Sequence, residues 1–119
     1  MKMTAFNKLR KFCLHYIKHN FEDLQQINPN FDNEVVKEIR KGESYMLDWF
    51  LSEVGRDVFL KKGICLESDW DEEQNFYTSI YKIGSTYIKT TFVDYKTDVV
   101  YEFVKRKKKH VIVYEWVSK

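Results

Sequence analysis

The feature that most constrains this sequence is a change of hydrophobic period near Gly63. Before that glycine, apolar side chains recur every three or four positions, which is the spacing of one face of an α-helix. From Ile64 onward the period is two, and β-branched and aromatic residues dominate, as in half-buried strands. The sequence therefore predicts a single α+β domain over residues 1–119, with N-terminal helices packed on one face of a C-terminal antiparallel sheet.

The helical part is predicted to cover residues 4–62 with three or four helices. Capping residues and helix stops divide it, because Ser, Thr, Asp and Asn favour N-caps while Gly and Pro end helices. In chain order these signals are a cap at Thr4, a stop at Asn28-Pro29-Asn30, a cap at Asp32 or Asn33, a stop near Gly42, a cap at Ser44 and a left-handed stop at Gly63.

The sheet part, residues 64–117, is predicted to be a meander of four strands, or of five if Ile64 to Leu66 opens it. Short polar turns separate the runs, and Gly84-Ser85 suits a two-residue hairpin turn. The other turns are placed at Lys96-Thr97 and at 106–109. The strands so defined are residues 76–83, 86–93, 99–105 and 110–117.

Counting across these turns predicts which side chains share a face of the sheet. One face, almost wholly apolar, is expected to meet the helices, with Phe103 and Tyr114 as core residues. The opposite face mixes charged residues with valines and is a candidate contact surface. A one-residue slip of register would exchange the two faces. The helix-facing set comprises Tyr77, Tyr81, Ile83, Ile88, Phe92, Tyr101, Phe103, Ile112, Tyr114 and Trp116.

Charge and cysteine content limit the classes of partner. With 20 Lys plus Arg against 18 Asp plus Glu, the net charge of +2 is too small to steer the whole molecule onto nucleic acid or an anionic membrane. No apolar run approaches about 18 residues, and no secretory signal is evident. Cys13 and Cys65 lie inside apolar patterns, which favours buried thiols in a reducing cytoplasm, although a long-range disulfide stays open.

Catalytic and metal-binding signatures are weak. His15, His19 and Asp23 fall at i, i+4 and i+8 of the first helix, a spacing that can hold a divalent metal only if a second segment contributes. Neither cysteine lies in a recognisable nucleophile motif, and the 4 glycines form no phosphate-binding loop. The sequence therefore predicts no catalytic residue and no cofactor, while leaving open a hydrolase whose residues converge only in space.

A basic run from Lys105 to Lys109, followed by His110, offers a second kind of surface. Cationic side chains between two strands can hold phosphates, and neighbouring tyrosines can stack on bases. Lys-rich hairpin tips also keep the ends of sheets soluble. Nucleic-acid binding through this tip is therefore an alternative function.

The stretch "ESDWDEE" gathers five carboxylates around one tryptophan and is predicted to be a loop. Such a loop is tolerated when it is solvated or when a cationic partner meets it. Trp70 favours a contact, because tryptophan is enriched among the residues that dominate binding energies. The predicted partner-binding residues are Glu67, Asp69, Trp70, Asp71, Glu72 and Glu73.

In size, helices-then-sheet layout and local acidic patch, the chain resembles the small cytosolic immunity proteins that neutralise bacterial toxins of contact-dependent or polymorphic systems. The resemblance implies a tight one-to-one complex that covers the toxin's active site or an adjacent surface, with a nuclease as one candidate toxin. Many such proteins are clearly acidic, whereas this chain carries +2. Its charges would then be sorted to separate ends, or its partner is not strongly basic.

Two further alternatives stay open. The layout also resembles cystatin-like and NTF2-like domains, in which a pocket between helix and sheet binds a small ligand or houses an enzyme. Polar groups pointing into the core would favour that alternative, and the apolar character of the predicted inner face disfavours it. A phage-encoded inhibitor of a host enzyme would share every physical feature of an immunity protein.

Overall fold

A computed structural model describes residues 3–93, 99–108 and 114–119. Four α-helices precede the sheet, and a π-helical segment, Phe50–Gly55, joins the last two of them. The α+β layout predicted from the sequence is confirmed. The helices are α1 (Ala5–Ile27), α2 (Asn33–Lys41), α3 (Ser44–Trp49) and α4 (Arg56–Lys61), and the strands are β1 (Cys65–Asp71), β2 (Phe76–Ile83), β3 (Thr86–Val93), β4 (Val99–Lys108) and β5 (Tyr114–Ser118).

Most of the predicted helix boundaries are confirmed. The Thr4 hydroxyl accepts a hydrogen bond from the Asn7 N–H at 3.1 Å, and the Asp32 carboxylate accepts from the two N–H groups at 34 and 35. The prediction for Ser44 is wrong, because α3 already begins at Ser44 and its N-cap, Glu43, makes no side-chain capping bond. The start of α3 is held instead by Tyr101, whose hydroxyl donates to the Ser44 carbonyl at 3.2 Å.

Aromatic rings fill the core between the helices. Phe31, Phe50 and Phe59 are fully buried, and the ring centroid of Phe50 lies 5.4 Å from that of Phe31 and 6.2 Å from that of Phe59. Gly55 permits this packing, since a Cβ atom there would lie 3.0 Å from Cε2 of Phe59. The π segment therefore packs closely against the core, and a side chain at position 55 would require the Phe59 ring to shift.

The five strands pair in sequence order, β1-β2-β3-β4-β5, and every pairing is antiparallel. Tyr81 and Ile88 belong to the core beneath the helices, and Tyr101 and Phe103 pack against it. The helices thus cover one face of the sheet, which we call the inner face. The prediction that Phe103 points toward the helices is confirmed.

The face predicted for β5 is wrong. The sequence interpretation ended β4 at residue 105, but β4 continues to Lys108 and pairs Lys108 with Tyr114 and Arg106 with Trp116. This is an odd shift of register, which exchanges the faces of the strand. Tyr114 is consequently 52% exposed on the outer face rather than in the core. The predicted turn at Lys96-Thr97 and the position of Ile112 lie outside the described residues.

Candidate functional site

The acidic stretch is a strand rather than the predicted loop. Residues 65–71 form β1, which pairs with β2 and stands first in the sheet. A β-bulge between Cys65 and Glu67 shifts the register, so that Cys65 lies opposite Tyr81 while Glu67 lies opposite Ile80. The bulge allows Cys65 to enter the core although Glu67, two positions later, points to the outer face.

Beyond the bulge, strand alternation separates the carboxylates from the tryptophan. Glu67, Asp69 and Asp71 lie on the outer face, whereas Ser68 and Trp70 lie opposite Ser79 and Tyr77 on the inner face. We call residues 67–73 the acidic strand. The sequence interpretation of these residues as one loop could not reveal that they divide between the two faces of the sheet.

The five carboxylates are not equivalent. The Asp71 carboxylate accepts hydrogen bonds from the Glu73 N–H at 3.0 Å and the Gln74 N–H at 3.1 Å, so it shapes the turn into β2. Glu67, Asp69, Glu72 and Glu73 are exposed and make no ion pair with any other described residue. These four carboxylates are therefore available to a partner, and Asp71 is a structural residue.

Trp70 stands at the edge of a pocket. Its side chain is 39% exposed, and its ring centroid lies 6.1 Å from that of Tyr77. The pocket lies between the inner face of β1, β2 and β3 and the helical residues 48–56, and its volume is about 230 Å³. We call it the Asp48 pocket. Its lining comprises Asp48, Leu51, Ser52, Glu53, Arg56, Ser68, Trp70, Tyr77, Ser79, Tyr81, Thr90 and Phe92.

Asp48 is the chemically unusual member of this lining. Burial raises the pKa of its carboxyl to about 6. Its carboxylate makes no hydrogen bond or ion pair with any residue that the structure describes. The neighbouring phenols of Tyr81 and Tyr101 are also largely buried; burial is the main cause that raises the pKa of each, and Asp48 raises both further. The site therefore holds a carboxylate that the described part of the chain leaves uncompensated.

Hydroxyl groups line the sheet side of the pocket. The Ser68 hydroxyl donates to the Tyr77 hydroxyl at 2.7 Å, and it lies 3.2 Å from the Ser79 hydroxyl oxygen. Ser79 and Thr90 are both buried. The expectation of an almost wholly apolar inner face is therefore wrong at this end of the sheet. The sequence "FYTSIYKI" indicates this polar position, because Ser79 falls on the same face of the strand as Tyr77 and Tyr81.

The mouth of the pocket carries charges of both signs. Glu53 and Arg56 are exposed, and the Arg56 guanidinium carbon lies 5.5 Å from the centroid of the Tyr77 ring. Arg56 makes a cation–π contact there and forms no ion pair with Asp48. Counting Asp48 and Glu53 against Arg56, the lining has more negative than positive side chains.

The described residues give no support to a metal site on α1 or to a nucleophilic cysteine. A kink at Asn20, with φ −136° and ψ 22°, separates His15 and His19 from Asp23, and no described cluster of three His, Cys, Asp or Glu residues is arranged to hold a metal. Cys13 and Cys65 are both free and buried. Burial raises the pKa of each thiol, which makes both poor nucleophiles.

The basic segment lies on β4, three strands away from β1 in the sheet. Lys105, Arg106 and Lys107 are exposed residues of β4 rather than of the predicted tip, and Lys109 lies outside the described residues. The Arg106 guanidinium carbon lies 5.0 Å from the Tyr114 ring centroid and 5.1 Å from that of Trp116 on the outer face. The basic cluster of residues 105–107 and the acidic strand thus lie on different strands of the sheet.

No known family, curated protein or solved structure matches this chain. Among the residues described, no helix combines the length and apolar character needed to cross a membrane. The acidic strand and the Asp48 pocket are the features of the described residues that bear on function.

Proposed function

We propose that the protein is a non-enzymatic inhibitor that binds a protein with a basic surface, in the manner of the immunity proteins that neutralise bacterial toxins. A toxin nuclease is a suitable partner, since enzymes that act on nucleic acid present basic clefts. The observation that carries the proposal is the juxtaposition of exposed Trp70 with the free carboxylates of the acidic strand.

The two kinds of side chain would contribute different parts of the binding reaction. Carboxylates in water attract a basic partner over about a Debye length, roughly 8–10 Å at ordinary salt, and so accelerate encounter. A large ring such as Trp70 is instead buried on contact and slows dissociation. Strand alternation places the ring on the face opposite Glu67 and Asp69. Because β1 stands first in the sheet, a partner that approaches along this edge could meet both faces.

Charge sorting reconciles the proposal with the net charge of +2. The acidic strand stands at one edge of the sheet, and the basic residues 105–107 lie on the fourth strand of five. The local field near β1 is therefore set by the carboxylates and not by the total charge.

Carboxylates on an edge strand also have a purely protective use, because charged side chains discourage pairing with another strand. That use does not account for Trp70, which a protective edge would keep buried or omit. Kinetics with a partner separate the two uses.

The test begins with affinity capture of a partner from the native host, followed by surface plasmon resonance at two salt concentrations. Asp69→Lys/Glu72→Lys is expected to slow association about tenfold at low salt and to flatten its salt dependence. The matched control is Glu22→Lys/Asp23→Lys on α1, which makes the same change of charge on exposed residues elsewhere. Asp71 is left intact because its carboxylate holds the turn.

Trp70→Ala is expected to speed dissociation about thirtyfold, the equivalent of about 2 kcal/mol, with little change in association. Its control is Tyr45→Ala, which removes a ring that is 54% exposed on α3. Wild-type kinetics for both the charge-reversed and the Trp70 variants would contradict the proposal and leave the acidic strand with a protective role.

A small-ligand-binding domain is the second candidate function. It is favoured by the hydroxyl groups and the carboxylate that line the Asp48 pocket, which are the polar groups that such a function requires. Phage-encoded inhibition of a host enzyme remains a variant of the first proposal, and the identity of the captured partner distinguishes it.

A further inference from the structure

We propose that the Asp48 pocket is a socket for a single organic cation, and that its occupant is a lysine or arginine side chain of the partner. The identity of the occupant rests on the proposed function. The affinity of the pocket for a guanidinium or ammonium group does not, because it follows from the lining alone.

The size of the pocket selects a small occupant. Pockets for drug-sized ligands are usually about 300–1,000 Å³. The Asp48 pocket, at about 230 Å³, is smaller. It suits one long side chain or a fragment of comparable size.

The charge of the pocket selects a cation. Asp48 has neither a hydrogen-bond donor nor an ion-pair partner among the described residues, although it is partly buried. An arriving guanidinium or ammonium would supply both, and hydrogen bonds between charged groups are about twice as strong as neutral ones. Arg56 would not compete, because its guanidinium is placed over the Tyr77 ring.

The remaining lining suits the other parts of such a side chain. The half-buried ring of Phe92 and the exposed ring of Trp70 can cover a methylene chain and attract a cation through their faces, whereas the Tyr77 ring already contacts Arg56. The Ser68 and Ser79 hydroxyl oxygens can accept further N–H bonds. Trp70 belongs both to the acidic strand and to the pocket, so a partner attracted by the carboxylates arrives beside the socket.

The state of Asp48 in the free protein agrees with this role. A partly buried carboxylate without a partner destabilises a fold, and groups with such perturbed pKa values concentrate at binding sites. Burial raises the pKa of Asp48 to about 6, so the group is largely ionised at neutral pH and ready to accept a cation. The charged and titratable groups around it are Glu53, Arg56, Tyr81 and Tyr101.

The test needs no partner and uses ethylguanidinium as the probe, with uncharged propylurea as its neutral analogue. Both are titrated into the ¹⁵N-labelled protein at pH 7.5 and followed by NMR. Ethylguanidinium is expected to shift the Trp70 indole N–H resonance in a saturable way, and propylurea is not. Asp48→Asn should weaken binding of the probe about tenfold or more, as expected when the buried ionic partner is lost and only the exposed Glu53 at the mouth keeps a negative charge. The control Asp57→Asn on α4, which neutralises an exposed carboxylate, should leave the affinity for ethylguanidinium unchanged.

Three results would overturn the socket: equal affinity in Asp48→Asn, saturable binding of propylurea with the same strength, or shifts that spread along residues 67–73 without saturating. With the captured partner, Asp48→Asn should weaken the complex about tenfold. If the probe saturates the pocket but Asp48→Asn leaves the partner's affinity unchanged, the partner-derived occupant is wrong and the socket takes a free amine or guanidine. If the probe fails while Trp70→Ala still speeds dissociation, the socket is wrong and the proposed function stands.

Discussion

The aromatic core and the Asp48 pocket are built by the same helical stretch, residues 44–61, and yet they are opposite in character. Phe50 and Phe59 pack into a dry cluster with no exposed surface. Asp48 and Ser52, two positions to either side of Phe50, line an open pocket with a carboxylate that has no hydrogen-bond or ion-pair partner among the described residues. One side of this helical stretch therefore stabilises the fold, and the other carries a carboxylate that costs stability. Substitutions on the two sides should change the free energy of unfolding in opposite directions.

The π segment is the element that the two regions share. Its residues Phe50 and Val54 enter the core, while Ser52 and Glu53 line the pocket. Single π-helical turns within α-helices occur frequently at functional sites. Gly55 fixes this turn against Phe59, so the core positions the pocket.

The largest loss of stability is expected from a cavity in the aromatic core. Phe50→Ala should lower the free energy of unfolding by about 3–5 kcal/mol, because it removes a fully buried ring and leaves a cavity. That is a large part of the about 5–15 kcal/mol available to a domain. Urea denaturation measures the loss, and Tyr45→Ala, which removes an exposed ring of the same stretch, should cost less than about 1 kcal/mol. Equal losses in the two variants would refute the placement of the core.

The second test concerns the two faces of the sheet. Phe103 is partly buried against the core, so Phe103→Ala should cost about 2–3 kcal/mol, somewhat below the range for a fully buried ring. Tyr114 is 52% exposed on the outer face, and Tyr114→Ala should cost less than about 1 kcal/mol. Thermal melts of the pair decide the register of β5, because the short-turn register would require the larger loss at Tyr114.

The smallest expected change in the free energy of unfolding is a gain in stability, caused by removing the charge of Asp48. The pKa of Asp48 is raised in the folded state from an ordinary 3.8 to about 6, so the folded protein holds this proton more tightly than the unfolded chain. Stability from this group is therefore present at low pH and is lost as pH rises from about 4 to 6. Asp48→Asn should stabilise the protein by about 1–2 kcal/mol at pH 7.5, allowing for solvent screening, and by almost nothing at pH 4.

Urea denaturation across pH 4–8 measures this difference, with Asp57→Asn as the control. A difference between Asp48→Asn and wild type that is flat with pH would mean that the carboxylate is already compensated in the free protein.

The layout of the fold was predictable because it depends on local signals. The change of period near Gly63, the caps at Thr4 and Asp32 and the turn at Gly84-Ser85 are all written in short stretches of sequence. The register of β5 was not predictable, because the sequence offers no marker of where β4 ends within "KRKKK". An odd shift of register moves every side chain of the strand to the other face.

The candidate site was only partly predictable. The members of the acidic strand and Trp70 were recognisable from composition, but the bulge that separates Cys65 from Glu67 has no signature in the sequence. Asp48 was missed altogether. It lies in an apolar helical pattern where an aspartate reads as a surface residue, and only the sheet packed beside it, far along the chain, makes it a pocket residue.

The most direct measurement of the central claim is the pKa of the Asp48 side chain, followed through its carboxyl ¹³C resonance by NMR in the free protein and with saturating ethylguanidinium. We predict a midpoint near the value of about 6 in the free protein, and a midpoint at lower pH once the cation fills the pocket. A free-protein midpoint near the ordinary 3.8, unmoved by the probe, would contradict the claim that this carboxylate awaits a cation from outside the chain.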